Sequence, residues 1–171
     1  WLLLPGRRGD REGGGLQHGR NVRRRWRVES QIRLLIMKPV LHHVAITVNN
    51  INESLRWYED KLGCAFIKRY DDAKMHMALM SFGKFYIELF QLDNSKPLPK
   101  YRKELMSDLT VVGTKHICLG VDDIDKTMNM LGTKGVEFTT EPDTSFYGSR
   151  YVFFKDCNGI LIELSESSRV L

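Results

Sequence analysis

The sequence predicts an α+β fold: two tandem βαβββ modules forming a cupped mixed sheet with pseudo-twofold symmetry. Three observations predict it. The stretch HVAITVNNI, beginning at His43, returns as HICLGVDDI, beginning at His116. Each is followed by helical apolar spacing and then a glycine. KFYIELFQ (84–91) returns as GILIELSE (159–166), so Ile87-Glu88-Leu89 matches Ile162-Glu163-Leu164.

Each element follows from its own residues. Alternation in the first strand puts Val44, Ile46 and Val48 on a packing face and His43, Ala45 and Thr47 on the other. Asn52 supplies a helix cap, Leu55, Tyr58 and Leu62 fall at i, i+3 and i+7, and Gly63 ends the helix. Ala65-Phe66-Ile67 opens a second strand, MHMALMSF (75–82) is a third, and Gly83-Lys84 turns into the fourth. There Ile87 and Leu89 pack, while Tyr86, Glu88 and Phe90 face away. Residues 92–113, with Pro97 and Pro99, form a connection with room for a short helix.

The second module repeats the plan. Ile117, Leu119 and Val121 pack, while His116, Cys118 and Gly120 face away. Asp125 supplies the cap, Met128 and Leu131 share a helix face, and Gly135 follows. Val136-Glu137-Phe138 and RYVFFKD (150–156) read as strands, and Asn158-Gly159 turns into the last one. In that strand Ile160, Ile162 and Leu164 pack, and Leu161, Glu163 and Ser165 face away. Modules 41–91 and 114–166, joined by linker 92–113, make one domain over 37–167, with 168–171 as a tail. A four-stranded unit of roughly 70 residues buries little alone, so the two must share an interface, with a cleft between them.

Charge separates this body from what precedes it. Residues 1–36 hold nine arginines, no lysine and three acids, a net +6. The remainder carries 17 basic and 18 acidic side chains, so the formal +5 of the chain belongs to the leader. That leader has GGG at 13–15, RRR at 23–25 and no period, and it reads as a basic segment foreign to the fold, with Met37 as the natural start. Its arginines attract phosphate, but no base-reading element or aromatic ladder accompanies them, so no nucleic-acid partner is expected. No apolar run approaches the ~18 residues that cross a bilayer. Cys64, Cys118 and Cys157 are odd in number and form no CxxC, which opposes a disulfide framework or a thiolate zinc site. A reducing, cytoplasmic setting follows by default.

Duplication therefore gives each half one histidine and one glutamate on a non-packing face: His43 with Glu88, and His116 with Glu163. Small neighbours on the histidine strands leave room for a ligand. Two imidazoles and two carboxylates suit a divalent cation such as Zn²⁺, Ni²⁺, Co²⁺, Mn²⁺ or Fe²⁺, with two octahedral positions left for water or substrate oxygens.

Residues 37–167 resemble the vicinal oxygen chelate superfamily, also called the glyoxalase/bleomycin resistance/dioxygenase family. HVAITVNNINESLRWYEDKLG is similar to its opening module, GTKHICLGVDDI to the start of its second, and DCNGILIEL to its ending, usually written D-P-x-G-x-x-I-E-L. Cys157 stands where proline is usual, a departure that touches the turn and not the metal. The resemblance implies metal ligands at His43, Glu88, His116 and Glu163. It also implies Zn or Ni as the ion, a small-molecule substrate, glutathione as a possible co-substrate, and a site that lies within one chain or across two; the uncovered edges of half-open sheets predict a homodimer. Glutamate at both carboxylate positions resembles lactoylglutathione lyase (glyoxalase I)-like members. Glu163 is then the base of an isomerisation through an enediolate, and Glu88 its ligand counterpart. An extradiol dioxygenase, an epimerase of methylmalonyl-CoA, a thiol transferase and a non-catalytic ligand-binding module are the alternatives.

Arg69, Tyr147, Arg150 and Cys118 are candidates to touch substrate, and loop 139–149 to shape the pocket. His42 is expected on the packing side, His76 away from the cleft, and Trp57 packed or at an interface.

Overall fold

The computed structural model of the chain describes residues 39–166. The leader 1–36 and the tail 168–171 lie outside the described residues. The first module runs β1 (His43–Thr47), α1 (Ile51–Leu62), β2 (Ala65–Asp71), β3 (Met75–Phe82) and β4 (Phe85–Leu92). A 3₁₀ turn (Lys100–Lys103) and a short helix α2 (Leu105–Leu109) occupy the connection. The second module runs β5 (Ile117–Val121), α3 (Ile124–Thr133), β6 (Asp143–Thr144), β7 (Arg150–Lys155) and β8 (Leu161–Glu166).

The two sheets share one topology, β1-β4-β3-β2 and β5-β8-β7-β6. In each, the first strand lies parallel to the last and the others are antiparallel. A parallel pair requires a crossover, which the helix of each module provides.

The helices begin alike. Asn50 caps α1 by accepting from Glu53 N, and Asp123 caps α3 by accepting from Lys126 N. The caps thus stand two residues before the expected Asn52 and Asp125. The reason is burial: Ile51 and Ile124 are 1% and 0% exposed and already belong to the first turn. Their amides donate to side chains of the last strand, Ile51 N to Gln91 Oε1 (2.7 Å) and Ile124 N to Glu166 Oε2 (3.0 Å). The duplication thus extends to how each helix is pinned to its sheet. Gly63 ends α1 in the left-handed region at φ 70°.

One expected strand is missing. Val136-Glu137-Phe138 pairs only through a single bridge from Phe138 to Phe154, and the fourth strand of the second sheet is the two-residue β6. Val136 and Phe138 satisfy their apolar character by packing into the core, without a strand ladder.

Alternation sets the core. Ile46, Val48, Ala78, Met80, Ile87 and Leu89 meet Ile51 and Tyr58 of α1. Leu119, Val152, Phe154, Ile162 and Leu164 meet Ile124 and Leu131 of α3. Each such fully buried aliphatic contributes about 1.5–3 kcal/mol. Trp57, Leu62, Phe82, Phe85 and Ile117 touch both clusters, so the modules join through their helix-covered faces. The faces carrying the histidines and glutamates lie on the other side of each sheet.

A buried polar clamp completes this joint. Tyr58 Oη donates to Asp156 Oδ2 (3.0 Å), and Asn158 Nδ2 donates to Ser54 Oγ (3.1 Å) and Asp156 Oδ2 (3.1 Å). Asn158 Oδ1 accepts from Asn49 N, and Asp156 Oδ1 accepts from the amides of Asn158 and Ile160. The Ser-x-x-x-Tyr pattern of α1 and the Asp-Cys-Asn-Gly turn of the second module are thus halves of one contact. Burial and the Asp156 carboxylate push the Tyr58 hydroxyl well above its ordinary pKa.

Candidate functional site

Parallel pairing places each histidine beside its glutamate. In the first sheet Ala45 stands opposite Glu88, and His43 lies two residues back on the same face. In the second, Cys118 stands opposite Glu163, with His116 two residues back. His43 Nε2 lies 3.6 Å from Glu88 Oε2, and His116 Nε2 lies 2.6 Å from Glu163 Oε2. Among the described residues no group of three or more His, Cys, Asp or Glu side chains is placed to hold a metal ion. Within one chain, the described residues thus form two separate histidine–glutamate pairs and not one four-residue cluster.

The halves differ in enclosure. The His43 and Glu88 side chains are 44% and 24% exposed, those of His116 and Glu163 24% and 11%. In the first half, Leu79 is the cross-strand neighbour of Glu88. The cleft beside it measures about 520 Å³ and is bordered by His43, Lys68, Tyr70, Met77 and Glu88. In the second half Phe153 is the neighbour of Glu163 and is itself buried. Its ring meets His116 edge-on at 5.1 Å and Tyr151 at 5.8 Å. His116 Nδ1 is buried without a hydrogen-bond partner among the described residues, so the ring is anchored through Nε2 alone. The Cys118 thiol is pushed up to about 11 by burial and by the Glu163 carboxylate it faces. It is a neutral S–H group beside that carboxylate.

The substrate-contact candidates fare unequally. Cys118 does lie in a half-site. Arg69 borders the first cleft, but its guanidinium is engaged elsewhere, by Asp71 (Nε–Oδ2 2.7 Å) and by Asn52 at the start of α1. The cause is a β-bulge at Ile67: Phe66 pairs with Met80, and the next pair is Lys68 with Leu79. Unbroken alternation would set Arg69 opposite Met77 on the cleft side. The bulge sets it opposite Ala78 on the helix side and brings Lys68 and Tyr70 round to the cleft. Arg150 is held by Asp125 in two hydrogen bonds (2.8 and 2.9 Å) and by Glu166, at the start of α3. Tyr147 is exposed on its loop and packs edge-on against Phe146 at 4.9 Å.

His42 departs from its expected position. It is exposed, borders the cleft, and its Nδ1 lies 2.8 Å from Nδ1 of His43. Its carbonyl accepts from Tyr86 N (2.9 Å) at the start of the ladder, and its ring packs against that of Tyr86 at 5.2 Å, on the non-packing side. His76 stands in register with Asp71 and is paired with it at 2.6 Å, on the other face of the strand from the cleft-lining Met77. Trp57 is packed, its ring 6.5 Å from that of Phe154. Phe153 and Tyr151 were not singled out from sequence, although alternation from the core residues Val152 and Phe154 places them beside Glu163.

Comparison with known proteins agrees with this architecture. The profile of the Glyoxalase/Bleomycin resistance protein/Dioxygenase superfamily matches residues 40–164. A probable lactoylglutathione lyase from Synechocystis is 30% identical over 132 residues, covering 75% of this chain and 95% of that protein. A mitochondrial methylmalonyl-CoA epimerase from Dictyostelium discoideum is 30% identical, covering 74% and 77%. Among solved structures, a glyoxalase family protein from Enterococcus faecalis superposes with a TM-score of 0.64 at 25% identity, covering 74% of this chain and 97% of that one. With two βαβββ modules, a histidine and a glutamate on the same face of each, and these relatives, the chain belongs to the glyoxalase/bleomycin resistance protein/dioxygenase superfamily.

Proposed function

We propose that the protein is a metal-dependent enzyme of the glyoxalase I type, isomerising an α-hydroxycarbonyl adduct such as a hemithioacetal. The observation that carries this reading is the matched pair of half-sites, each an imidazole and a carboxylate on adjacent parallel strands. The donor set fits a divalent cation: His43 and His116 supply imidazole nitrogens, and Glu88 and Glu163 supply hard oxygens. The protein would act as a homodimer, with His43 and Glu88 of one chain facing His116 and Glu163 of its partner. A twofold axis closes two such sites at once and needs no rearrangement within either chain.

In this reading an ion of the Zn or Ni type, when bound, stabilises negative charge on neighbouring substrate oxygens. Glu163, the more enclosed carboxylate, takes the proton from the carbon beside the carbonyl and returns it to the adjacent carbon. Phe153 and Tyr151 keep water from that carboxylate, and the neutral Cys118 thiol stays in place as a weak donor. His43 and His116 would hold the ion in place through their imidazole nitrogens. The Synechocystis relative, a probable lactoylglutathione lyase, supports this reading. The Dictyostelium relative supports a second one, epimerisation of an acyl thioester, which asks for the same proton transfer at one carbon.

The test is to load the protein with Zn²⁺ or Ni²⁺ and supply methylglyoxal with glutathione. Formation of the lactoyl thioester supports the first reading. Solvent-hydrogen exchange at the α-carbon of methylmalonyl-CoA without thioester formation selects the epimerase. Oxygen uptake with a catechol would replace both with a dioxygenase, and absence of tight metal binding would point to a binding module.

A further inference from the structure

The first half-site holds a cation that its ion-binding role does not explain. Lys68 stands in a register row that crosses the sheet as Lys68, Leu79, Glu88 and Ala45. All four are therefore on one face, and Lys68 borders the same cleft as His43 and Glu88. Its ammonium has no ion pair or hydrogen bond among the described residues, whereas neighbouring Arg69 is neutralised by Asp71. Between Lys68 and Glu88 the floor is apolar, made by Leu79 and flanked by Met77. The placement is not an accident of alternation, because it depends on the bulge at Ile67.

We infer that Lys68 is a specificity determinant that receives a carboxylate of the substrate, joined by a short aliphatic spacer to the oxygens that reach the ion. This deepens the proposed function and rests on the reading that His43 and Glu88 help to hold that ion. Two strand spacings separate the backbones of Lys68 and Glu88 by about 10 Å. The lysine side chain spans part of that distance, which leaves room for roughly two to four aliphatic carbons lying over Leu79. One unpaired ammonium, with neighbouring Arg69 already neutralised by Asp71, matches one negative charge, hence a carboxylate and not a phosphate.

The experiment compares two chelating probes by calorimetry on the full-length, Zn²⁺-loaded protein. Acetohydroxamate carries no carboxylate, and succinic acid monohydroxamate carries one at the end of a two-methylene spacer. The native protein is expected to bind the second at least tenfold more tightly. Lys68→Met should reduce that advantage to within twofold and leave acetohydroxamate binding unchanged, while Lys68→Arg should retain most of it. An advantage that survives in Lys68→Met, or that is absent from the native protein, overturns the inference while leaving the ion site standing. Failure of both probes to bind the Zn²⁺-loaded native protein overturns the site reading and this inference together.

Discussion

The two modules are built on one plan yet carry their polar groups differently. At the first half-site His43 and Glu88 stand 3.6 Å apart over an open cleft. At the second, His116 and Glu163 are in contact at 2.6 Å and enclosed by Phe153. Leu79 and Ala45 occupy the places that Phe153 and Cys118 take in the second half. A duplicated scaffold thus yields one pair over an open cleft and one pair enclosed by an aromatic ring.

The same contrast runs through the joint between modules. The turn Asp156-Cys157-Asn158-Gly159 grips Ser54 and Tyr58 of α1 through buried hydrogen bonds. Its counterpart in the repeat, Ser81-Phe82-Gly83-Lys84, packs through Phe82 against the cluster that contains Leu131, the counterpart of Tyr58. One side of the pseudo-twofold joint is polar and directional, the other apolar.

Substitutions can break this asymmetry. The largest effect is expected on catalysis. Glu163→Gln should lower kcat/KM by about a thousandfold or more, against roughly ten- to a hundredfold for Glu88→Gln. Equal losses would remove the division of labour. Asp156→Ala strips a buried acceptor of four hydrogen bonds and leaves the Tyr58 hydroxyl unpaired. It should cost about 3 kcal/mol, roughly 10 °C in Tm. Phe82→Leu on the apolar side should cost about 1 kcal/mol by the same melting measurement.

Alkaline pH offers a gentler probe. Burial raises Cys64 from 9.0 to about 12. Between those values the folded chain holds a proton that the unfolded chain has released. The stabilisation is complete below about pH 9 and is lost as pH rises toward 12. Tm should fall across that window, and Cys64→Ala should flatten the decline. The smallest effect concerns Cys118, whose thiolate fraction at pH 8 is about one in a thousand. Iodoacetamide should label it slowly, and Glu163→Gln should speed labelling several-fold by removing the negative charge. Labelling unaffected by that change would mean burial alone holds the thiol.

Much of this was legible in the sequence because duplication and alternation are local signals. His43, Glu88, His116 and Glu163 each stand an odd number of residues from the packing residues Ile46, Ile87, Leu119 and Ile162, so alternation puts all four on the non-packing faces. What was not legible depends on partners. The bulge at Ile67 exists only through the register with β3, so nothing local marks Lys68 as a cleft residue or shows that the Arg69 guanidinium turns to Asp71. Val136 and Phe138 carry strand-like alternation, but their burial in the core leaves that segment with only an isolated bridge. Arg150 has the charge of an anion binder, yet Asp125 and Glu166, distant in sequence, neutralise it.

The central claim is that the two half-sites of one chain complete those of another. Differently tagged chains carrying His43→Ala/Glu88→Ala and His116→Ala/Glu163→Ala should each bind no tight Zn²⁺ alone. Purified heterodimers of the two should recover about half the native metal content, because one of their two interfaces unites the intact halves. Heterodimers as empty as the parent variants, or a parent that keeps its metal, would contradict the account.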